Sequence, residues 1–422
     1  MEPGRILTHR LGNGMSVVLV PDERVPVSAA SLWYRVGSAH ERPGRGGFAH
    51  LFEHMMFQGS ANVGKGQHFG LVQAAGGRTN AYTGLDATVY NDTVPSHELE
   101  LVLWLEADRM ATLADALTQE KLDNQRSVVQ NERRKRVDNA PYGTWEERAY
   151  RLAFEPEHPY HHSAWGSMAE LAAASLDEVR DFFRTHYRPN AAVLVLAGDL
   201  DPDRAMELVE RHFGPIAPIP AGADAAPSLG RTDAVATGGS RDEVRGEGPV
   251  PRLYVAVTVP PFGAPGYAAA DLVVDLLASG RASRLHARLV RESQVAQSVE
   301  AWITELTLGA SLVLVEVTGR AGVAPQRIEA AVDAELDRLA LEPPRDGELE
   351  RVRAFRQARR AKTWQKAGER ADRIGLYACL LGDPSLAFGE RARDDDIGPA
   401  EVLEVAHTWL AARRRSYLWY LP

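Results

Sequence analysis

Residues 251–422 repeat the plan of residues 1–217, and this repetition constrains the fold more than any other feature of the chain. The first half opens with strand text, "MSVVLV" and "VSAASLWYRV", beside an "LGNG" hairpin signal. An apolar helix follows, and then "RTNAYTGLDATVYNDTVP" returns to strand chemistry around a Gly-Leu-Asp turn. Helices are predicted near 96–115 and 118–138, with Ser96 and Thr118 as caps, then a buried strand in "AAVLVLAGDL" and a helix ending at Gly214. In the second half "PRLYVAVTVP", "SLVLVEVTG" and "SYLWYLP" read as strands and "YAAADLVVDLLASG" as a helix, with helical text between. The expected fold class is α+β: two homologous α/β halves, each a mixed, mainly antiparallel sheet flanked by helices. The domains fall at 1–217 and 251–422, and 218–250, thin in everything but Pro, Gly, Ala and Asp, reads as a linker. A chain of 422 residues exceeds what one core usually supports, which agrees with two domains.

Laying "DLVVDLLASG" (271–280) on "HLFEHMMFQG" (50–59) matches the apolar positions but sets His50 and His54 on Asp271 and Asp275, and Glu53 on Val274. The second half keeps the packing and loses the chemistry. On a helix, residues i and i+4 stack on one face with i+3 beside them, so His50, Glu53 and His54 converge. Two neutral imidazoles so spaced suit one zinc ion at about 2.0–2.1 Å from each nitrogen. Glu53 then stands next to the ion without being needed as a ligand, free to take a proton from water that zinc has acidified. Burying three ionisable groups on one turn of an apolar helix is costly without a metal or partner charges. A catalytic zinc usually takes a third protein ligand: Glu132 in "QRSVVQNERRKR", with Gln125 and Val129 on its face, is one candidate, and His158, His161 and His162 in "EHPYHHSAWGS" are rivals.

Several function classes recede on composition. Nothing approaches the apolar run of about 20 residues that a bilayer-crossing helix needs, so no membrane partner is expected. A formal charge of -9 argues against nucleic acid, and the basic runs "ERRKR" (132–136) and "ARRRS" (412–416) read as solvated helix faces. Cys379 is the only cysteine, which excludes an intrachain disulfide and reads as a small buried hydrophobe. "GSANVGKG" (59–66) resembles a phosphate-binding loop, but Gly66 replaces the Ser/Thr of that motif and a helix precedes it where the motif requires a strand. Met1 is followed by Glu2, Pro3 and strand text without the basic and apolar regions of a signal peptide; as given the chain is expected in the cytoplasm, or in the periplasm if a leader was removed.

Taken together, "LGNGMSVVLVPD", "GSAHE", "GFAHLFEHMMFQGS", "GGRTNAYTGLDATVY", "VVQNERRKR", "HPYHHSAWGS" and "RPNAAVLVLAGDL" resemble the pitrilysin and insulysin superfamily of zinc metallopeptidases, in its short form similar to mitochondrial processing peptidase and its bacterial relatives. The resemblance implies an inverzincin H-x-x-E-H site in which His50, His54 and Glu132 bind one Zn2+ and Glu53 is the general base. It also implies that Asn80 and Ala81 lie on an edge strand to which a peptide substrate adds as a further strand. The chain would form one half of a clam-shell peptidase acting on short unfolded peptides. The chain departs from the family pattern in two respects. The second acid usual seven residues before the ligand glutamate is Gln125, able to orient the zinc's ligands by hydrogen bonds but uncharged. The Arg and Tyr, seven apart, that contact the substrate carbonyl in active members read Val290 and Gln297, with Arg291 one residue off. That loss implies a heterodimer with a related zinc-less subunit supplying the Arg/Tyr pair, with a homodimer as the alternative. Against the peptidase stand a non-catalytic scaffold or binding subunit, which has no reason to keep all four groups, and a structural zinc site, which would typically use cysteine.

Overall fold

The computed structural model describes residues 5–219, 238–345 and 347–422. They form two compact units: Met1–Asn131, Ala164–Ser228 and Arg360–Gly389 in the first, and Glu132–Ser163, Leu229–Arg359 and Glu390–Pro422 in the second. Each unit is built on one mixed sheet flanked by helices, as expected of an α+β chain.

The first sheet comprises β1 (Leu7–Arg10), β2 (Ser16–Pro21), β3 (Val27–Tyr34), β4 (Arg78–Thr83), β5 (Thr88–Pro95) and β6 (Ala192–Gly198). Its order is β1-β2-β6-β3-β5-β4, and only the β2–β6 pair is parallel. β3 is buried along nearly its whole length, the mark of a strand covered on both faces. β4 alternates instead, with Arg78, Asn80 and Tyr82 exposed and Thr79, Ala81 and Thr83 half-buried, as an edge strand does. Ala30, Leu32 and Tyr34 belong to the core built with α1 (Phe48–Met55), α2 (Gln67–Ala74) and α3 (Leu99–Ala116). On the opposite face the helix Ala367–Leu380 lies against β3 and β6. Gly375 permits that approach, since a Cβ there would come within 2.0 Å of Trp33 Nε1.

The second sheet comprises β7 (Arg241–Arg245), β8 (Arg252–Val259), β9 (Ala296–Ile303), β10 (Ser311–Gly319) and β11 (Ser416–Leu421), ordered β7-β11-β8-β10-β9 with only β7 and β11 parallel. Its core joins Leu253, Val255 and Val257 to Leu272 and Leu276 of the helix Tyr267–Ala278 and to Val332 and Leu336 of the helix Pro325–Leu341. The helix Trp145–Ala153 also packs on this sheet, with Trp145 stacked on Tyr254 at 5.3 Å.

The units differ from the halves read in the sequence. Segment 360–389 joins the first sheet because the Trp33 face needs an apolar cover, and 132–163 joins the second through Trp145. Within 218–250, read as a linker, β7 is a strand, and 220–237 lie outside the described residues. The run 412–416 is not a wholly solvated face. Arg415 is 0% exposed, donating to Asp333 at 2.9 Å, to Asp337 at 2.5 Å and to the Leu410 carbonyl, because a buried guanidinium must find charge and acceptors. Among the described residues no helix is long and apolar enough to cross a membrane.

Candidate metal centre

α1 starts at Gly47, whose φ of 90° is the left-handed region that favours glycine. Its free amides do not go unsatisfied: the Glu41 carboxylate accepts from the Gly47 N–H at 2.9 Å and the Ala49 N–H at 2.8 Å. Phe48, Leu51, Phe52 and Met55 face inward, and Phe52 meets Tyr187 with ring centroids 4.3 Å apart. Each such side chain contributes roughly 1.5–3 kcal/mol on burial, enough to fix the helix's rotation and hold the remaining edge outward. That edge carries His50, Glu53 and His54, all half-buried.

The two imidazoles lie edge to face, ring centroids 4.9 Å apart at 89°, and Trp165 packs edge-on against His50 at 5.0 Å. Glu132 reaches them from the last turn of α4 (Gln119–Arg133). One donor atom from each of His50, His54 and Glu132 lies within 4.8 Å of the others. Two imidazoles and a carboxylate are a zinc donor set, and separations of this size let three atoms share one ion. The residues present therefore fit the metal. Glu132 does not face bulk solvent: its side chain is 21% exposed and its Oε1 also pairs with Arg136 at 3.1 Å. Immediately after α4 the chain winds into a π-helical turn, Arg134–Asp138, a distortion frequent at functional sites.

Glu53 is held from another direction. The Thr83 hydroxyl, at the end of β4, donates to its Oε2 at 2.5 Å. The sequence reading missed this contact; its only trace is Thr83 in the "NAYTG" run. Asn80 and Ala81 do lie on the sheet's edge strand, paired through β4 with Asn91 and Tyr90. Gln125 is buried on α4 seven residues before Glu132, and its amide donates to Asn124 at 2.9 Å.

The rival histidines go elsewhere. His158 Nδ1 accepts from the Tyr160 N–H at 3.0 Å as the cap of a short turn, and His161 Nδ1 lies 2.8 Å from the Phe154 carbonyl. Val290 sits in a π-helical turn, partly buried against the second core, while Arg291 is exposed; Gln297 is exposed on the edge strand β9. Cys379 is buried, its thiol pushed up to about 12 by burial. The "GSANVGKG" loop is held by Asp108, which accepts from Ser60 and from Asn62 Nδ2, while Lys65 donates to Asn124 at 3.0 Å.

A second set of donors, His68, Asp92 and Glu106, also converges within 4.8 Å, but it is fully buried and already holds a cation. Arg109 occupies both Glu106 oxygens and lies over the Tyr90 ring at 4.2 Å. Burial pushes Glu106 up to about 7 and His68 down to about 4. With an internal guanidinium in place this cluster is a structural ion network, and nothing in the sequence reading pointed to it.

Comparison with known proteins finds similarity over most of the chain. The profile described as "Insulinase (Peptidase family M16)" matches residues 16–157, and that described as "Peptidase M16 inactive domain" matches residues 173–355. The zinc protease PqqE of Helicobacter pylori is 28% identical over 88% of this chain and 82% of its own length. An uncharacterised zinc protease of Streptomyces coelicolor is 24% identical over 97% of this chain and 88% of its own. In fold, a crystal structure of a protease from Helicobacter pylori superposes with a TM-score of 0.93 at 24% identity, covering 99% of this chain and 100% of that one. The Pseudomonas fluorescens structure described as a peptidase M16 inactive domain follows at 0.86 and 17%, covering 99% and 98%.

Proposed function

The chain belongs to the M16, pitrilysin-type peptidase family, and we propose that it is a working zinc endopeptidase that hydrolyses peptide bonds in unfolded peptides. The observation that carries the reading is the convergence of His50, His54 and Glu132 donor atoms, with Glu53 on the same helical turn. When bound, zinc supplies Lewis-acid polarisation of the scissile carbonyl and lowers the pKa of water to roughly 7. Glu53 accepts the proton of the attacking water and passes it to the leaving amine. β4 docks the substrate: an extended peptide hydrogen-bonds to its outer edge at Asn80 and Ala81, which orders the chain without strict sequence demand. Gln125 supports α4 from within, without the charge of an acid.

The second half bears on assembly. With Val290 and Gln297 where active relatives carry Arg and Tyr, this chain lacks that pair, and we propose that a related, zinc-less subunit supplies it in a heterodimer, a homodimer being the alternative. Metal analysis should give one Zn2+ per chain, and a chelator should abolish peptide cleavage. Glu53→Gln should keep the metal and lose turnover; a Glu53→Gln variant that cleaves peptide at the parent rate removes Glu53 as the base. Full activity of the isolated chain would remove the need for a second subunit.

A further inference from the structure

We propose that Thr83 is a positioning residue for the general base: its hydroxyl holds the Glu53 carboxylate in the orientation that receives the proton of the attacking water. This rests on the peptidase reading above and extends it to a residue outside the zinc motif.

A glutamate side chain has three rotatable bonds, so a base on a helix edge does not aim itself. Thr83 Oγ1 donates to Glu53 Oε2 at 2.5 Å, a bond that fixes the position of that oxygen. Thr83 is itself firmly placed. It is the last residue of β4, paired with Thr88 across the hairpin, and the turn beyond it closes through Gly84 N–H to the Ala87 carbonyl at 2.8 Å. That turn is tied in turn to the segment that leads into α1: Ser38 N–H donates to Gly84 at 3.2 Å and Ala39 N–H to Leu85 at 2.9 Å. The same segment carries Glu41, which caps α1. Base and hydroxyl are thus mounted on one hydrogen-bonded frame.

The placement also couples the base to the docking strand. Side chains alternate along β4, so Thr79, Ala81 and Thr83 share the half-buried face while Asn80 and Tyr82 share the other. Ala81 and Thr83 are two residues apart, about 6.6 Å along the strand. A peptide held at Ala81 is therefore in fixed register with the group that orients Glu53. Positioning of this kind acts on the chemical step and not on binding.

The test uses the zinc-loaded chain in its active assembly, with Thr83→Val, Thr83→Ala and Thr83→Ser beside Glu53→Gln, each checked for zinc content. Removing the hydroxyl in either packing context should lower kcat about 10- to 100-fold with KM little changed, and Thr83→Ser should recover most of the loss. Parent kcat in the Val and Ala variants overturns the proposal, as does a Ser variant as slow as Val. Crystal structures of the zinc-loaded variants give a readout independent of turnover: the Glu53 carboxylate should keep its place in Thr83→Ser and rotate away in Thr83→Val, and an unmoved carboxylate overturns the proposal. If Glu53→Gln is fully active while its zinc is intact, the base assignment itself fails, a result separable from any behaviour of Thr83.

Discussion

The helix Phe48–Met55 of the first unit and the helix Tyr267–Ala278 of the second present two acid–base groups at the same i, i+4 spacing and use them oppositely. In the first, His50, His54 and Glu132 bring one donor atom each within 4.8 Å of the others, a set that could hold a metal ion. In the second, Asp271 and Asp275 meet Asp394 around the Arg356 guanidinium, with Nη1 at 2.9 Å from Asp275, Nε at 2.7 Å from Asp394 and Nη2 on Asp271. Arg356 comes from the helix Glu348–Gln365, so the cation is covalently part of the chain. Opposing charges hold the guanidinium in its charged form despite burial. A site that carries its own cation cannot exchange it for substrate or water. The second cluster therefore serves stability, and under the function proposed above the first serves chemistry.

The sharpest way to break this contrast is to remove a group from the first cluster. His50→Ala or His54→Ala should lose zinc and all peptide cleavage, and Glu53→Gln should lose about 10²–10⁴-fold of turnover with its zinc retained, as read by metal analysis and initial rates. If the His variants keep zinc, the ion is elsewhere. Removing the internal cation should do the reverse. Arg356→Met removes the guanidinium that three carboxylates share, and with Asp275 and Asp394 side chains only 4% and 3% exposed the cost should be about 3–5 kcal/mol of stability in denaturant unfolding, with zinc content unchanged. An Arg356→Met chain as stable as its parent would show that the guanidinium is not holding the cluster together.

Zinc itself should stabilise the folded chain by about 2.7 kcal/mol at a free concentration 100 times its Kd, measurable as a chelator-sensitive shift in Tm. Acid should act on the first unit. Burial, with His40 adding to it, holds His186 down to about 3, so the folded state binds fewer protons than the unfolded chain between that value and the usual 6.5. The stability it contributes is present above pH 6.5 and lost as pH falls toward 3. His186→Phe should flatten that acid limb by on the order of 2 kcal/mol, since Phe182 already packs against it with ring centroids 4.5 Å apart; an unchanged limb would place the acid sensitivity elsewhere. The smallest effect concerns Arg136, which competes for a Glu132 oxygen from a largely exposed position. Arg136→Ala should tighten zinc affinity by about two- to five-fold in a competition titration, and weaker binding would mean that Arg136 orients Glu132 instead.

Much of the first site was legible in the chain. Helical spacing alone brings His50, Glu53 and His54 to one face, because i, i+3 and i+4 neighbours are a local property of any α-helix. The strands and the hairpin at Gly84 were also anticipated, since period-two patterning and turn chemistry are local as well, whereas the edge position of Asn80 and Ala81 was implied only by the family resemblance. The pairing of Asp271 and Asp275 with Arg356 was not: the alignment of the halves exposed the two aspartates, but a residue some 80 positions away closes the cluster. Arg415 was misread for the same reason, as its partners Asp333 and Asp337 lie on a different helix.

By itself, then, the sequence determined the spacing of the donors, the apolar stripe that turns them outward, and the loss of imidazoles in the second half. Tertiary structure decided that Glu132 comes within 4.8 Å of the two imidazoles, that Thr83 holds Glu53, and that Arg356 fills the second set from within. The division follows from physics: contacts within one helical turn are set by backbone geometry, whereas contacts between distant residues exist only after apolar burial has chosen which elements meet.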